Sequence, residues 1–336
     1  MKILCLWNKP SGVEYHRIIK PMQRMGIDNP EVEIFFKENY LEQGMPELKE
    51  YDLIVFNRWL YEYTYPILEY LAKHNIPYVI DIDDYWKLPK SHPLAPQYKK
   101  NNIEKATVDA IRYANGVTTT CEALAAKIRP INTKVKIIAN ALDTTDEQWN
   151  WEKKTSDKYR FGYAAGLTHA NDAQLIGEAI SQILAKYNNA EFWYIGYDNN
   201  EYCRSILKRL NNNDKVMKIN ARNGLAPNLY GRLFSELDCI VAPLEDTTWN
   251  SFKSDIKIQE AKAYQLPVIA SNVPAYNECD GVLLVDNSVD AWVSAMSLCL
   301  EKNLEGFGNC RSIEDENKKR IEFYKWVLSS TIRDQN

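Results

Sequence analysis

The 336-residue chain contains no stretch approaching the roughly 20 apolar residues that a bilayer-spanning helix needs. Any membrane attachment is therefore expected to be peripheral. Its opening residues, MKILCLWNKPSG, carry only a short apolar run before Asn8 and Lys9. That run is too brief for a signal-peptide core and suits a buried first strand. The seven cysteines (Cys5, Cys121, Cys203, Cys239, Cys279, Cys299 and Cys310) are odd in number and show no CxxC or CxH spacing. Neither a disulfide framework nor a zinc site is expected, and reduced thiols fit a cytoplasmic protein. The net charge of -4 provides no field that would draw the whole protein onto nucleic acid or an acidic membrane, although it leaves room for a local basic cleft. A GxGxxG fingerprint is absent, which disfavours a dehydrogenase, and a GxSxG elbow is absent, which disfavours a covalent hydrolase.

What is present is ordinary globular composition, with 45% hydrophobic and 26% charged residues, in a chain long enough for two domains. Short β-branched or apolar runs alternate with longer amphipathic stretches throughout, the pattern of βαβ units and a mostly parallel sheet. In the first half the predicted strands are KILCLW, VEIFF, DLIVFN, YVIDI, VTTTC and KVKIIAN. Predicted helices there run from Tyr15 to Met25, Tyr61 to His74, Ile103 to Ala114 and Glu122 to Ile128. The apolar periodicity lapses between Ala141 and Lys158, a polar run expected to be a linker and hinge. A second series follows, with strands FGYAAG, EFWYIGY, KVMKI, CIVAPL, PVIAS and VLLV. Its helices are expected from Ala173 to Tyr187, Glu201 to Leu210, Leu229 to Glu236, Phe252 to Tyr264 and Val289 to Leu300. The expected fold is α/β, with two Rossmann-like doubly wound domains at 1–150 and 151–312. A terminal amphipathic helix over 313–331 must pack on something already folded, and the first domain is the expected place.

Three clusters can carry chemistry. The loop after the first strand, NKPSGVEYHR, holds Gly12, which lets a ligand approach the backbone or else merely serves a tight turn needing positive φ. His16 and Arg17 follow it, one able to exchange a proton near neutral pH and the other a fixed charge. In YVIDIDDYW an apolar strand runs directly into Asp81, Asp83 and Asp84, at the edge where open α/β sheets bind ligands. Asp81-Ile82-Asp83 also fits a metal-chelating DxD pattern, but such carboxylates equally cap helices and order loops. In the third cluster, VAPLEDTTWNSFKSDIKIQEAKAYQLPVIAS, Asn250 or Ser251 can cap the predicted helix. Lys253, Lys257 and Glu260 then share one stripe. Two cations and a carboxylate suit a diphosphate plus hydroxyls, whereas the alternative is a solvated face with a Lys257–Glu260 pair.

The segments SGVEYHRIIKPM, KVKIIANALD, FGYAAGLTHANDAQLI and especially APLEDTTWNSFKSDIKIQEAKAYQLPVIASNVPAY resemble the retaining GT-B glycosyltransferases of the family-four, or group 1, type. The resemblance implies two domains facing a cleft that binds a nucleotide-sugar donor. By this likeness Glu260 matches the second glutamate of the family's E-x7-E motif, expected at the nucleotide ribose. The first falls at Phe252. The usual Arg and Lys after the first strand of the second domain are also missing, since GLTHAND offers Thr168, His169 and Asn171. The implied donor-binding residues are Gly12, Arg17, Gly166, His169, Arg222, Asn250, Ser251, Lys253, Ser254, Lys257 and Glu260. The candidate catalytic residues, from the first two clusters, are His16, Asp83 and Asp84. No metal or other cofactor is expected, because helix-terminal N–H groups and lysines can carry the diphosphate charge. The expected activity is sugar transfer with retention to a carbohydrate, lipid-linked or protein acceptor. Two alternatives stay open: transfer to a modified nucleic-acid base, and a degenerate protein that binds a nucleotide sugar without turnover.

Overall fold

The structure is a computed structural model describing residues 1–7, 11–38, 45–58, 60, 63–90, 92–166, 168–212 and 219–333. The chain divides into two units. The first comprises Met1–Asp143, Phe252–Ser254 and the chain from Arg311, and the second comprises Thr144–Ser251 and Asp255–Cys310. Among the described residues no helix is long and apolar enough to cross a membrane.

Unit 1 is built on strands β1 (Lys2–Trp7), β2 (Glu33–Glu38), β3 (Leu53–Asn57), β4 (Tyr78–Ile82), β5 (Gly116–Thr119) and β6 (Val135–Ile137). They form a parallel sheet in the order β2-β1-β3-β4-β5-β6. The central strands read as continuous apolar runs because helices cover both faces. Alternate side chains enter different cores: Leu4, Leu6, Ile54, Phe56 and Ile80 on one face, Ile3, Cys5, Leu53, Val55 and Val79 on the other. The helices are α1 (Gly12–Glu14), α2 (Lys20–Asp28), α3 (Thr64–Lys73), α4 (Ala95–Lys100), α5 (Ile103–Tyr113) and α6 (Glu122–Ile128).

Unit 2 repeats the design with β7 (Tyr159–Ala164), β8 (Ala190–Tyr197), β9 (Ile219–Asn223), β10 (Cys239–Ala242), β11 (Val268–Ser271) and β12 (Leu283–Val285), ordered β12-β11-β10-β7-β8-β9 and all parallel. Its helices are α7 (Ala170–Gln174), α8 (Gly177–Lys186), α9 (Glu201–Leu210), α10 (Ile256–Ala263) and α11 (Val289–Lys302). The last helix, α12 (Ile313–Arg333), packs Ile321, Phe323, Tyr324 and Val327 onto the second face of the unit 1 sheet. A Cβ on Gly116 would lie 2.7 Å from Val327 and 2.8 Å from Phe323, so β5 needs glycine to let α12 this close.

Several elements differ from the sequence reading, each for a local reason. The helix expected from Tyr15 is divided by a π-helical turn at Tyr15–Ile19, which turns Arg17 inward and leaves His16 half-buried. The helix expected from Ala173 breaks into α7 and α8 around Leu175 and Ile176. Most of the strand expected over KVMKI lies outside the described residues, and β9 begins at its last residue, Ile219. The helix expected from Phe252 starts four residues later, at Ile256, because Phe252, Lys253 and Ser254 are held by contacts in unit 1. Asn250 and Ser251 therefore belong to a 3-10 turn, Asn250–Phe252, and cap no helix.

Candidate functional site

In unit 1 the polar residues that follow the apolar strands converge at the C-terminal strand ends, where an open α/β sheet presents ligand sites. Register places Asn57 beside Asp81, and Asp81 beside Thr118. The Arg17 guanidinium donates to both Asp81 oxygens at 2.9 and 2.7 Å, to the Ile138 carbonyl at 2.8 Å and to Asn140 Oδ1 at 3.0 Å. Thr118 Oγ1 donates to Asp81 at 2.6 Å. Arg17 and Asp81 are both buried, and their bidentate pair is one that only good geometry sustains.

A second ionic group continues from the first. Arg58, in the left-handed region at φ 53°, donates to Asp83 at 2.5 and 2.6 Å and to Asp84 at 3.0 Å. Asn57 Nδ2 joins the two groups, donating to Asp81 Oδ1 at 3.1 Å and Asp83 Oδ1 at 3.0 Å. Burial would raise the Asp83 carboxyl, but Arg58, Asn57 and Arg17 hold it well below the usual carboxylate range. Asp84 is shared with Lys253, whose ammonium lies 3.0 Å from Oδ1 and 3.2 Å from Oδ2. His92 sits half-buried nearby, its imidazole pKa lowered by burial and by the Lys253 charge, against the opposing pull of Asp84.

Phe252, at the position of the first motif glutamate, is 4% exposed in the hydrophobic core of unit 1. Its ring centroid lies 4.5 Å from that of Tyr85. Ser254 Oγ accepts from Asn140 Nδ2 at 2.7 Å, which connects this segment to the Arg17 cluster. Lys253 and Ser254, expected beside the donor, are thus bonded within unit 1. Arg17 is likewise buried in its pair with Asp81, and a ligand would have to displace that carboxylate to reach it.

In unit 2 the end of β7 and the start of α10 bring a second set together. His169 Nδ1 lies 2.7 Å from Asp172 Oδ2, and the Glu245 N–H donates to Asp172 Oδ1 at 2.8 Å. Burial would raise the Asp172 carboxyl, yet His169, the Glu245 amide and the Lys257 charge hold it low. Lys257 Nζ stands 5.5 Å from the Tyr163 ring centroid. Glu260 is buried, and the Tyr230 hydroxyl is pushed well above its usual pKa by burial and by the Glu260 charge. A solvated stripe is therefore not what α10 presents. Lys253 is not on that helix, and Glu260 is enclosed.

Gly12 and Gly166 follow the first strand of their respective units. Neither adopts positive φ, and an added Cβ at either would meet nothing within 4 Å. The turn-strain explanation for Gly12 fails, and both backbones are open on the side where a side chain would stand. Of the other expected residues, Arg222 is exposed and stacks on Trp193 at 3.9 Å. Asn250 Nδ2 donates to the Glu245 carbonyl at 2.9 Å and Ser251 Oγ to the Thr248 carbonyl at 2.8 Å, so both organise their own loop. His16 packs edge-on to Tyr15, with centroids 5.4 Å apart.

Sequence reasoning missed Asn57, Arg58, His92 and Asp172. Asn57-Arg58 ends an apolar run just as Asp81 does, and that parallel was the available signal. Among the described residues no three His, Cys, Asp or Glu side chains are grouped to hold a metal ion.

Two units, each a parallel six-stranded sheet of doubly wound type, with the terminal helix in the first unit, define the GT-B fold. Residues 158–302, from β7 through α11, match the family model described as Glycosyl transferases group 1. Solved structures agree in fold. Anabaena Alr3699/HepE, crystallised with UDP and glucose, aligns with a TM-score of 0.67 at 14% identity over 97% of this chain and 99% of that one. A glycosyltransferase from Rickettsia africae aligns at 0.62 with 13% identity, covering 99% and 97%. S. aureus MnaA with UDP aligns at 0.59 with 10% identity, covering 98% and 97%. By sequence, the chain matches no curated protein.

Proposed function

We propose that this protein transfers a sugar from a nucleotide-sugar donor, with UDP as the carrier to test first, to an acceptor hydroxyl with retention at the anomeric carbon. The observation that carries the proposal is the set at the strand ends of the group 1 region: open Gly166, the His169–Asp172 pair, and Lys257 with Glu260 on α10. In this reading Lys257 offsets diphosphate charge and Glu260 accepts from ribose hydroxyls. UDP in the HepE and MnaA structures supports the choice of carrier.

The acceptor oxygen bonds to the anomeric carbon while the bond from that carbon to the diphosphate oxygen breaks, its electron pair leaving with the nucleoside diphosphate. His16, on the π turn behind Gly12, is the proposed acceptor of the hydroxyl proton. Asp83, also a sequence candidate, is a poor base because its carboxyl is held so low. Asp84, tied to Lys253 and Arg58, is proposed to orient the acceptor. No metal is assigned a role, since Asp81 and Asp83 each face an arginine.

Phe252 favours one second reading, a binding protein without turnover, because the carboxylate expected there is replaced by a core side chain. Thermal-shift screening of nucleoside diphosphates and nucleotide sugars, followed by product NMR, tests both readings. A ligand at 100 times its Kd adds about 2.7 kcal/mol of stability. Binding with an α-to-α or β-to-β product supports retaining transfer, binding without product across acceptors supports the second reading, and no stabilisation by any nucleotide overturns both.

A further inference from the structure

Beyond the strand ends of unit 1, the chain from Tyr85 to Asn102 contains four lysines, Lys87, Lys90, Lys99 and Lys100, and no carboxylate. In a chain of net charge -4 this is a local reversal of sign. Described residues of this segment and of α5 line an open pocket of about 850 Å³, within the size range of small-ligand sites. Its apolar walls include Trp86, Leu88 and Val108. Three lysines and one carboxylate, Glu104, also line it, and the lysines are not equivalent. Lys105 is committed, donating to Asp109 at 2.8 Å and to the Tyr65 hydroxyl at 3.3 Å. Lys90 and Lys99 are exposed and have no acidic partner among the described residues.

Tyr98 joins this pocket to the ionic cluster. It is part of the lining, and its phenol pKa is raised chiefly by burial, with Arg58 pulling it down and Asp84 and Asp83 pushing it up. Trp86, two residues after Asp84, lines the same pocket, so chain connectivity places it next to the carboxylates that follow β4. We propose that the pocket is the acceptor subsite and that the acceptor is an anionic sugar, its phosphate or carboxylate held by Lys90 and Lys99 and its apolar ring face on Leu88 and Val108. This rests on the transferase reading above and deepens it by naming the acceptor class. Lys90 and Lys99 outnumber the one carboxylate, Glu104, that shares the lining, and beside apolar walls they favour a ligand with both an anionic group and an apolar face. Trp86 is 8% exposed and belongs to the unit 1 core, so it presents too little ring surface to stack a nucleic-acid base.

The test uses methyl glucuronide, glucose 6-phosphate and neutral methyl glucoside as probes, with affinities from ligand-observed NMR on the full chain in the presence of UDP. The wild type is compared with a Lys90→Gln/Lys99→Gln double variant, whose exposed side chains leave folding intact. At least one anionic probe is expected to bind roughly tenfold or more tightly than methyl glucoside, as charge-assisted contacts require. The double variant is expected to bring that preference within about threefold, while UDP titrates unchanged. The carboxylate and phosphate arms identify which anion the site takes. Equal binding of all three probes by the wild type, or a preference that survives in the double variant, overturns the inference while normal UDP binding leaves the transferase reading standing. Loss of UDP binding in the wild type fails the transferase reading itself. A single-stranded oligonucleotide that displaces the anionic probes with a steep salt dependence overturns the inference in favour of a nucleic-acid acceptor.

Discussion

Phe252→Glu would restore the carboxylate that group 1 resemblance assigns to this position, and the structure predicts that it harms the protein. The Phe252 side chain is 4% exposed and packs in the unit 1 core, with the Tyr85 ring at 4.5 Å. Removing a buried phenylalanine costs about 3 to 5 kcal/mol. The aliphatic stem of the new side chain recovers part of that, while its buried carboxyl adds a desolvation cost of similar size. Lys127, whose ammonium is 5.8 Å from the ring centroid, offsets only some of it. A net loss of about 4 kcal/mol should lower the melting temperature by roughly 8 to 16 °C in a unit of this size. The loss should also depend on pH. Burial raises the folded-state pKa of the introduced carboxyl above its unfolded value, so the variant is least impaired below about pH 4 and worsens as pH rises through the raised value. Differential scanning calorimetry at pH 4.5 and 8 checks both, with Phe252→Leu as a control that should cost less than about 1.5 kcal/mol. An unchanged melting temperature for Phe252→Glu at pH 8 would refute the placement of this side chain.

Other expectations follow from the two clusters. Asp81→Asn should destabilise by about 3 to 5 kcal/mol, measured by urea denaturation, because Arg17 is left buried without its counter-charge. The native pKa values of Asp83 and Asp172 are depressed, so their contribution to stability is present above about pH 4 and lost as pH falls toward the folded values. The imidazole of His92 is also depressed, which favours the neutral folded form and makes stability begin to fall below about pH 6.5; melting curves in pH steps should show both declines. His16→Gln should lower kcat roughly 100-fold or more with little change in donor affinity, and unaltered turnover would remove His16 from proton transfer. Turnover is expected to be insensitive to EDTA, and loss of activity restored by magnesium would overturn the metal-free proposal.

The strands were the most legible part of the sequence, because apolar runs such as LIVFN and YVIDI become buried on both faces of a parallel sheet and state their own limits. Segments whose conformation is decided by distant contacts were not legible in the same way. Nothing local announces that Phe252 leaves the helical pattern, since the Phe252 to Tyr264 periodicity is sound and only burial against Tyr85 and the Lys253–Asp84 pair interrupts it. The π turn at Tyr15–Ile19 is similarly silent, yet it turns Arg17 inward to its pair with Asp81. Carboxylates at strand ends were recognised as candidates, but their charge partners came from elsewhere: Arg58 from the neighbouring strand end and Lys253 from 169 residues along the chain. Glu260 was found by motif, whereas its burial beside Tyr230 is a tertiary property.

The most direct test of the central claim is calorimetric titration of UDP into the wild type, Lys257→Ala and Glu260→Gln. If these α10 residues hold the donor, the wild type binds with one saturable site. Loss of the Lys257 ammonium removes a charged contact worth about 1.5 to 3 kcal/mol, a weakening of roughly 10- to 150-fold. Circular dichroism of each variant, with a melting temperature near that of the wild type, separates lost binding from lost folding. Glu260→Gln keeps the shape of the side chain and should weaken UDP and UDP-sugars alike. Wild-type affinity in both variants would contradict the account and remove the donor from α10.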